Sequence, residues 1–286
     1  MLRSMFSGVS GLKNHQIKMD VIGNNIANVN TIGYKSSRVT FQDVYSQNVA
    51  TATAPNAAEG TGGTNPQQIG MGVTLSSIDV MHTSAPSEYT GSPLDLSISG
   101  DGYFAVSNGG EIQYTRAGNF KTDGSNNLVT SDGMSVMGWT LPAPTVPATP
   151  VVVPTTPPTP LQAINISDDY YDISISKTGE VVGINNTTKN KEVIAKIAIA
   201  NFNNQNGLEK VGGSLYAATL NSGTAEMGFP GTSGVSTLTP SSLEMSNVDL
   251  AKEFTDMIIT QRGYQANSRV ITTSDQLLEE LVNLKR

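Results

Sequence analysis

The stretch 248–284 reads VDLAKEFTDMIITQRGYQANSRVITTSDQLLEELVNL. Within it Leu250, Phe254, Met257, Gln261, Tyr264, Ser268, Ile271, Asp275, Leu278 and Val282 follow an alternating three-four spacing, and seven of the ten are apolar. That spacing predicts one long helix from about Val248 to about Leu284 with an apolar seam. Ser246 or Asn247 serves as its N-cap in this reading, and Asp249 adds negative charge to the first turn. Lys285 and Arg286 place positive charge at the far end, where the helix dipole favours it.

The other chain end carries a counterpart. Leu2, Met5, Val9, Leu12, Gln16, Met19, Gly23 and Ile26 repeat the spacing, with six of eight apolar. Gln16 and Gly23 interrupt the seam, so the helix is weak alone. It is expected to fade across residues 28–33, where Asn, Thr and Gly collect. Each helix needs a surface for its apolar stripe. Packing on the chain's own core and packing on each other, then on neighbouring copies, are both open from periodicity.

Between the ends the signals are β. Leu94, Leu96 and Ile98 alternate with polar residues, and residues 103–106, 112–115 and 136–139 are short strand candidates. Residues 173–176 and 181–184 read as a hairpin around Lys177-Thr178-Gly179-Glu180, and Val193, Ala195, Ile197 and Ile199 fall on one strand face. Residues 51–68 lack periodicity, and 141–160 hold eight prolines in 20 residues, so both read as spacers. The fold class is therefore α+β. An inner helical domain is expected from 1–50 plus 244–286, a flexible linker at 51–70, a β-rich middle from 71–140 plus 161–243, and a Pro-rich connector at 141–160.

Composition narrows the function. Apolar residues make up 37% and charged residues 14%, which suits a thin, loop-rich β body better than a dense α/β core. A net charge of -7 without a basic stripe argues against nucleic acid as a partner. With no cysteine, disulfides, thiolate metal sites and cysteine nucleophiles are excluded. No run approaches a membrane span, and residues 1–12 lack the continuous apolar core of a secretory signal.

No catalytic, cofactor or metal site is expected. His15 and His82 are the only histidines and neither has metal-ligand spacing. Residues 60–64 lack the Gly-Lys-Ser/Thr of a phosphate loop. Residues 97–102 lack the spacing of a nucleophile elbow, and Asp101 lacks the acidic neighbours of a calcium loop. Asp168-Asp169 and Glu279-Glu280 stand in polar settings and not in the apolar surroundings that acid catalysis uses.

Residues 20–35, DVIGNNIANVNTIGYK, resemble the N-terminal signature of the bacterial flagellar rod and hook proteins. Residues 243–251 and 261–268 resemble the matching C-terminal signature. Gly100–Phe104, Tyr114–Phe120 and Gly207–Gly213 are similar to the family's middle domain. Asn24, Asn25, Ala27, Asn28, Gly33, Ser246, Asn247, Val248, Gln261 and Arg262 carry the signatures.

The resemblance implies that the terminal helices pair as an antiparallel coiled-coil inner domain, with the β-rich middle outside. Subunits then stack helically around an export channel as a homopolymer. Leu2, Met5, Val9, Leu12, Met19, Ile26, Leu250, Phe254, Met257, Tyr264, Ile271, Leu278 and Val282 become the expected assembly interface. Implied partners are rod and hook-filament junction proteins, the hook cap during assembly and the type III export apparatus. The place implied is the flagellar hook or basal body, outside the cell after export. Within the family a hook subunit is the first expectation and a distal-rod subunit the alternative. A secreted carbohydrate-binding or hydrolytic β protein is the expectation from another class.

Overall fold

A computed structural model describes residues 2–54, 62–140, 161–232 and 236–284. The expected Pro-rich connector at 141–160, part of the expected linker, and the terminal Lys285 and Arg286 lie outside the described residues. Two helices and many antiparallel strands make the chain α+β. It divides into two compact units, one of residues 1–27, 37–80 and 248–286, the other of residues 28–36 and 81–247.

The first unit holds α1 (Leu2–Ala27), β1 (Ser37–Asp43), β2 (Ser46–Ala50), β3 (Gln67–Gly70), β4 (Val73–Val80) and α2 (Leu250–Leu284). Its 35-residue α2 contains no proline and, at 1.5 Å per residue, is about 50 Å long. The cap differs from the expectation. Asp249 accepts from the backbone N–H groups of Ala251 (2.9 Å) and Lys252 (3.3 Å), so Asp249 and not Ser246 or Asn247 satisfies the first turn. β1 and β4 pair antiparallel with a bulge between Thr40 and Phe41. Asn14 donates to the Val73 carbonyl at 2.7 Å, and Ser10 Oγ accepts from Val73 N–H, which holds α1 to the start of β4.

The flexible linker expected at 51–70 is corrected in part. Gln67–Gly70 is β3, paired antiparallel with β2, and Thr53 bridges Thr64. Every residue of β2 and β3 is exposed, so no face is apolar enough to produce alternation in the sequence. Contacts also place residues 51–54 and 62–80 with the helices and residues 28–36 with the β unit. Those boundaries follow strand partners, which local composition does not report.

The second unit is built on a 13-stranded antiparallel sheet. Its main path runs 170–175, 180–185, 191–197, 135–140, 103–107, 112–115, 215–217, 209–212. The central strand Tyr103–Ser107 is buried on both faces. Phe104 and Val106 join a core with Leu96, Leu128, Ile164 and Ile197. Tyr103 and Ala105 point the other way, to Tyr114, Phe202 and Tyr216. Ala195, Ile197 and Ile199 lie on one face in the Phe104 core, as expected, and the opposite face, with Lys196 and Ala198, is buried as well. The hairpin at 170–185 is present, with Gly179 at φ +74° in its turn.

Candidate functional site

In the helical unit, α1 and α2 lie antiparallel. Gly8 is against Ile271, Gly11 against Asn267, and Gly263 against the ring of His15. Lys18 Nζ stands 3.8 Å from Asp256, and Asn25 donates to Glu253 at 3.1 Å. The buried positions are Gly8, Gly11, Asn14, Ile22 and Asn25 on α1, and Thr260 and Ser274 on α2. Small and polar residues dominate these positions, with Ile22 the one large apolar member.

Such a stripe works because its polar groups are satisfied close by. Thr260 donates to the Asp256 carbonyl, Asn267 to that of Gly263, and Ser274 to that of Val270, all four residues back on α2. Glycine at positions 8, 11 and 263 lets the opposing helix approach closely. His15 packs edge-on to Phe41 at 6.1 Å between ring centroids. Its Nδ1 meets no partner among the described residues. Burial pushes its pKa down, and Lys18 pushes it further.

The predicted interface residues divide. Met5, Leu12, Met19, Ile26, Met257, Ile271 and Leu278 are half-buried, and Ile271 meets α1 directly. Val9, Leu250, Phe254, Tyr264 and Val282 are exposed, as are Phe6, Ile258, Ile259 and Leu281. Leu2 begins α1, and its side chain lies outside the described residues. A second set of large apolar groups on the helices is therefore left uncovered within one copy.

The signature residues have identifiable work. Asn25 bridges three elements: its Nδ2 donates to Ser37 O (2.9 Å) and to Glu253, and its Oδ1 accepts from Ser37 N–H (3.0 Å). Asn24 and Ala27 are exposed on α1, and Gln261 and Arg262 are exposed on α2. Val248 is half-buried. In the β unit, Asn28 closes a turn with Thr31. Gly33 adopts φ +66° with its Cα against the backbone of Arg116 and Ala117, so a side chain there meets both strain and collision. Ser246 is buried. Asn247 accepts from Ser36 N–H and donates to Met81 O and to Thr83 Oγ1.

A further cluster in the β unit was missed by the sequence reading. Glu244 accepts from Lys35 Nζ (2.7 Å), Arg116 Nη1 (3.2 Å) and Ala85 N–H (3.0 Å), and all three charged side chains are fully buried. Lys35 also donates to Thr83 O at 2.7 Å. Burial lowers the Lys35 pKa, and Glu244 opposes that shift. Arg116 lies over the Tyr103 ring at 5.1 Å, and its Nε and Nη2 lack partners among the described residues. The Tyr103 hydroxyl bonds His82 Nδ1 at 2.5 Å. Burial, with Lys35, Arg116 and Lys210 nearby, lowers the His82 pKa to about 4.

Lys35 follows α1 in the chain, Glu244 precedes α2, and Arg116 belongs to the sheet body. The cluster thus ties both connecting segments into one β unit. Each member stands inside a signature stretch, which was the available signal, but nothing in spacing pairs them. With no exposed surface, the cluster positions chain segments and reaches no substrate. Among the described residues no group of three or more His, Asp or Glu is arranged to hold a metal.

A β body with sealed charges, attached in sequence to two long helices with outward apolar groups, defines a structural class of protein. Three family models match along the chain. "Flagella basal body rod protein" covers residues 5–35, "Flagellar hook protein FlgE/F/G D1 domain" covers 97–183, and "Flagellar basal body rod FlgEFG protein C-terminal" covers 239–284. The chain is 47% identical to the flagellar basal-body rod protein FlgG of Bacillus subtilis over 290 residues, covering all of both chains. It is 35% identical to FlgG of Caulobacter vibrioides over 285 residues, 99% of this chain and all of the relative. To the flagellar hook protein FlgE of Borreliella burgdorferi it is 31% identical over 444 residues, covering all of both. The chain belongs to the flagellar hook and basal-body rod protein family, and its place is the bacterial flagellum.

Proposed function

We propose that this chain is a rod subunit of the flagellar basal body, the distal-rod alternative of the sequence reading. The carrying observation is the end-to-end match to a basal-body rod protein at 47% identity over 290 residues, nearly the chain's own 286. The alignments to hook proteins extend over 444 and 465 residues, which requires long stretches that this chain lacks. The hook reading keeps one specific support, the 31% identity to a hook protein along the whole chain.

In this proposal α1 and α2 act as an antiparallel coiled-coil-like pair in the inner wall of a homopolymeric tube. The β unit forms the outer part. The outward apolar residues, among them Phe254, Tyr264 and Val282, meet neighbouring copies, and repeating one head-to-tail contact builds a helical tube. The tube transmits torque, encloses the export channel and catalyses no reaction. Delivery by the type III export apparatus, and contacts with other rod proteins or with the hook and its cap, belong to the same reading. Electron microscopy of a strain lacking the chain tests it. Missing distal rods support the rod reading, and intact rods without hooks overturn it in favour of the hook.

A further inference from the structure

The chain holds two Asn-Gly pairs, Asn108-Gly109 and Asn206-Gly207. Such a pair carries latent chemistry. The main-chain nitrogen of the glycine can attack the asparagine side-chain amide, because the glycine has no Cβ to obstruct the approach. Both asparagines are exposed, so exposure does not separate them. Their turns do.

Asn108 and Gly109 lie in the turn 108–111 between strands Tyr103–Ser107 and Ile112–Thr115, beyond the last paired residues, Ser107 and Ile112. Among the described residues, neither the Asn108 side-chain amide nor the Gly109 N–H has a hydrogen-bond partner. Nothing lies within 4 Å of where a Cβ would stand on Gly109 or Gly110. The turn is therefore free to bring Gly109 N against Asn108 Cγ. Asn206 and Gly207 sit instead in a 3-10 turn, Gln205–Gly207. Gly207 N–H donates to Asn204 O at 3.3 Å, and Gly207 O accepts from Thr219 Oγ1. Asn204 in turn donates to Asn221 O at 3.0 Å. A Cβ on Gly207 would meet Ser222 N at 2.8 Å, so this backbone is packed as well as bonded. Moving Gly207 N onto Asn206 Cγ breaks both of its hydrogen bonds, which slows the attack about tenfold or more.

We propose that Asn108 is a site of spontaneous amide-to-acid conversion, and that its turn protects Asn206 from the same reaction. Gly109 N loses its proton to water or hydroxide and bonds to Asn108 Cγ. The Cγ–Nδ2 bond breaks, and Nδ2 takes up a proton and leaves as ammonia, which gives a cyclic imide. Water then adds to either imide carbonyl and opens the ring. The product is aspartate, or isoaspartate with a main chain one methylene longer. The sum is amide plus water to acid plus ammonia, with no change of oxidation state. Each event takes the chain one unit below its net charge of -7 and sets a new carboxylate in the same turn as Glu111.

The test holds the purified full chain, folded, at mildly alkaline pH and samples it over time. Trypsin places the two sites on separate peptides, 39–116 and 197–210, and fragmentation spectra assign the converted residue. Conversion at Asn108 is expected to run about tenfold or more faster than at Asn206, with isoaspartate among the products. A second sample, kept in denaturant, is expected to bring the two rates together. Asn206 converting as fast as Asn108 in the folded chain overturns the proposal. So does an Asn108 that stays intact in the folded chain while the denatured sample converts. A rate difference that survives in denaturant assigns the effect to neighbouring residues in sequence, and overturns the protection by the turn.

Discussion

The β unit and the helical unit solve burial in opposite ways. The β unit encloses a core of large apolar residues: Leu96, Phe104, Val106, Ile164 and Ile197 have no exposed surface. It even encloses two cations around one carboxylate. Along its helices the first unit buries mostly glycine, asparagine, threonine and serine, with Ile22 among them, and leaves Phe6, Phe254, Ile258, Ile259 and Val282 outside. A core of the first kind is complete in one copy. A surface of the second kind gains its burial free energy, about 25 cal/mol per Å² of apolar area, only when something covers it.

The largest test of this contrast is Glu244→Ala. It leaves Lys35 and Arg116 buried without a counter-charge, and a loss of about 3–5 kcal/mol is expected. The single Trp139, buried in the same unit, reports the unfolding by fluorescence. Unfolding at unchanged denaturant concentration rejects the cluster as a tie. Phe104→Ala is expected to cost the same unit about 3–5 kcal/mol.

Acid titration sharpens the comparison further. His82 is held neutral in the folded state with a pKa of about 4, against an ordinary histidine value of about 6.5. The unfolded chain therefore binds the proton first as pH falls. Stability from this group is full above about pH 6.5 and is lost as pH falls toward 4, by on the order of 3 kcal/mol. Denaturant melts of the natural chain and of His82→Gln across that range measure it. Parallel curves contradict the assignment.

A smaller effect is expected at the helix pair. Gly263→Val pushes a branched side chain into the His15 ring and should cost about 1–3 kcal/mol. Adding His15→Ala should restore part of the loss in circular-dichroism melts. No restoration means the collision lies elsewhere. The smallest effect is predicted for Phe254→Ala, half-exposed on α2, within about 0.5 kcal/mol in the monomer. A loss as large as that of Phe104→Ala abolishes the distinction between the two units.

The sequence was readable where a signal is local. Periodicity marked both helices, and a Gly-containing turn marked the hairpin at 173–184. It misled where a contact uses residues that hydrophobicity does not register. Gly8, Gly11 and Gly263 fit at the helix pair because they are small, and Asn267 because it bonds its own helix, while Asn14 is spent on Val73 of β4. Lys35, Arg116 and Glu244 each stand in a motif, but nothing in the spacing pairs them. The carboxylate is separated from its partners by 209 and 128 residues.

By itself, the sequence determined the two terminal helices, their approximate lengths, a β-rich middle and family membership, because propensity, periodicity and long ordered motifs are properties of neighbouring residues. The tertiary structure alone decided which face each helix turns inward, that Asp249 caps α2, that residues 67–70 find a strand partner, and that one buried carboxylate gathers two distant cations. Those outcomes depend on distances through space. A glycine shows its fit, and a charge its partner, only when the opposing surface is present.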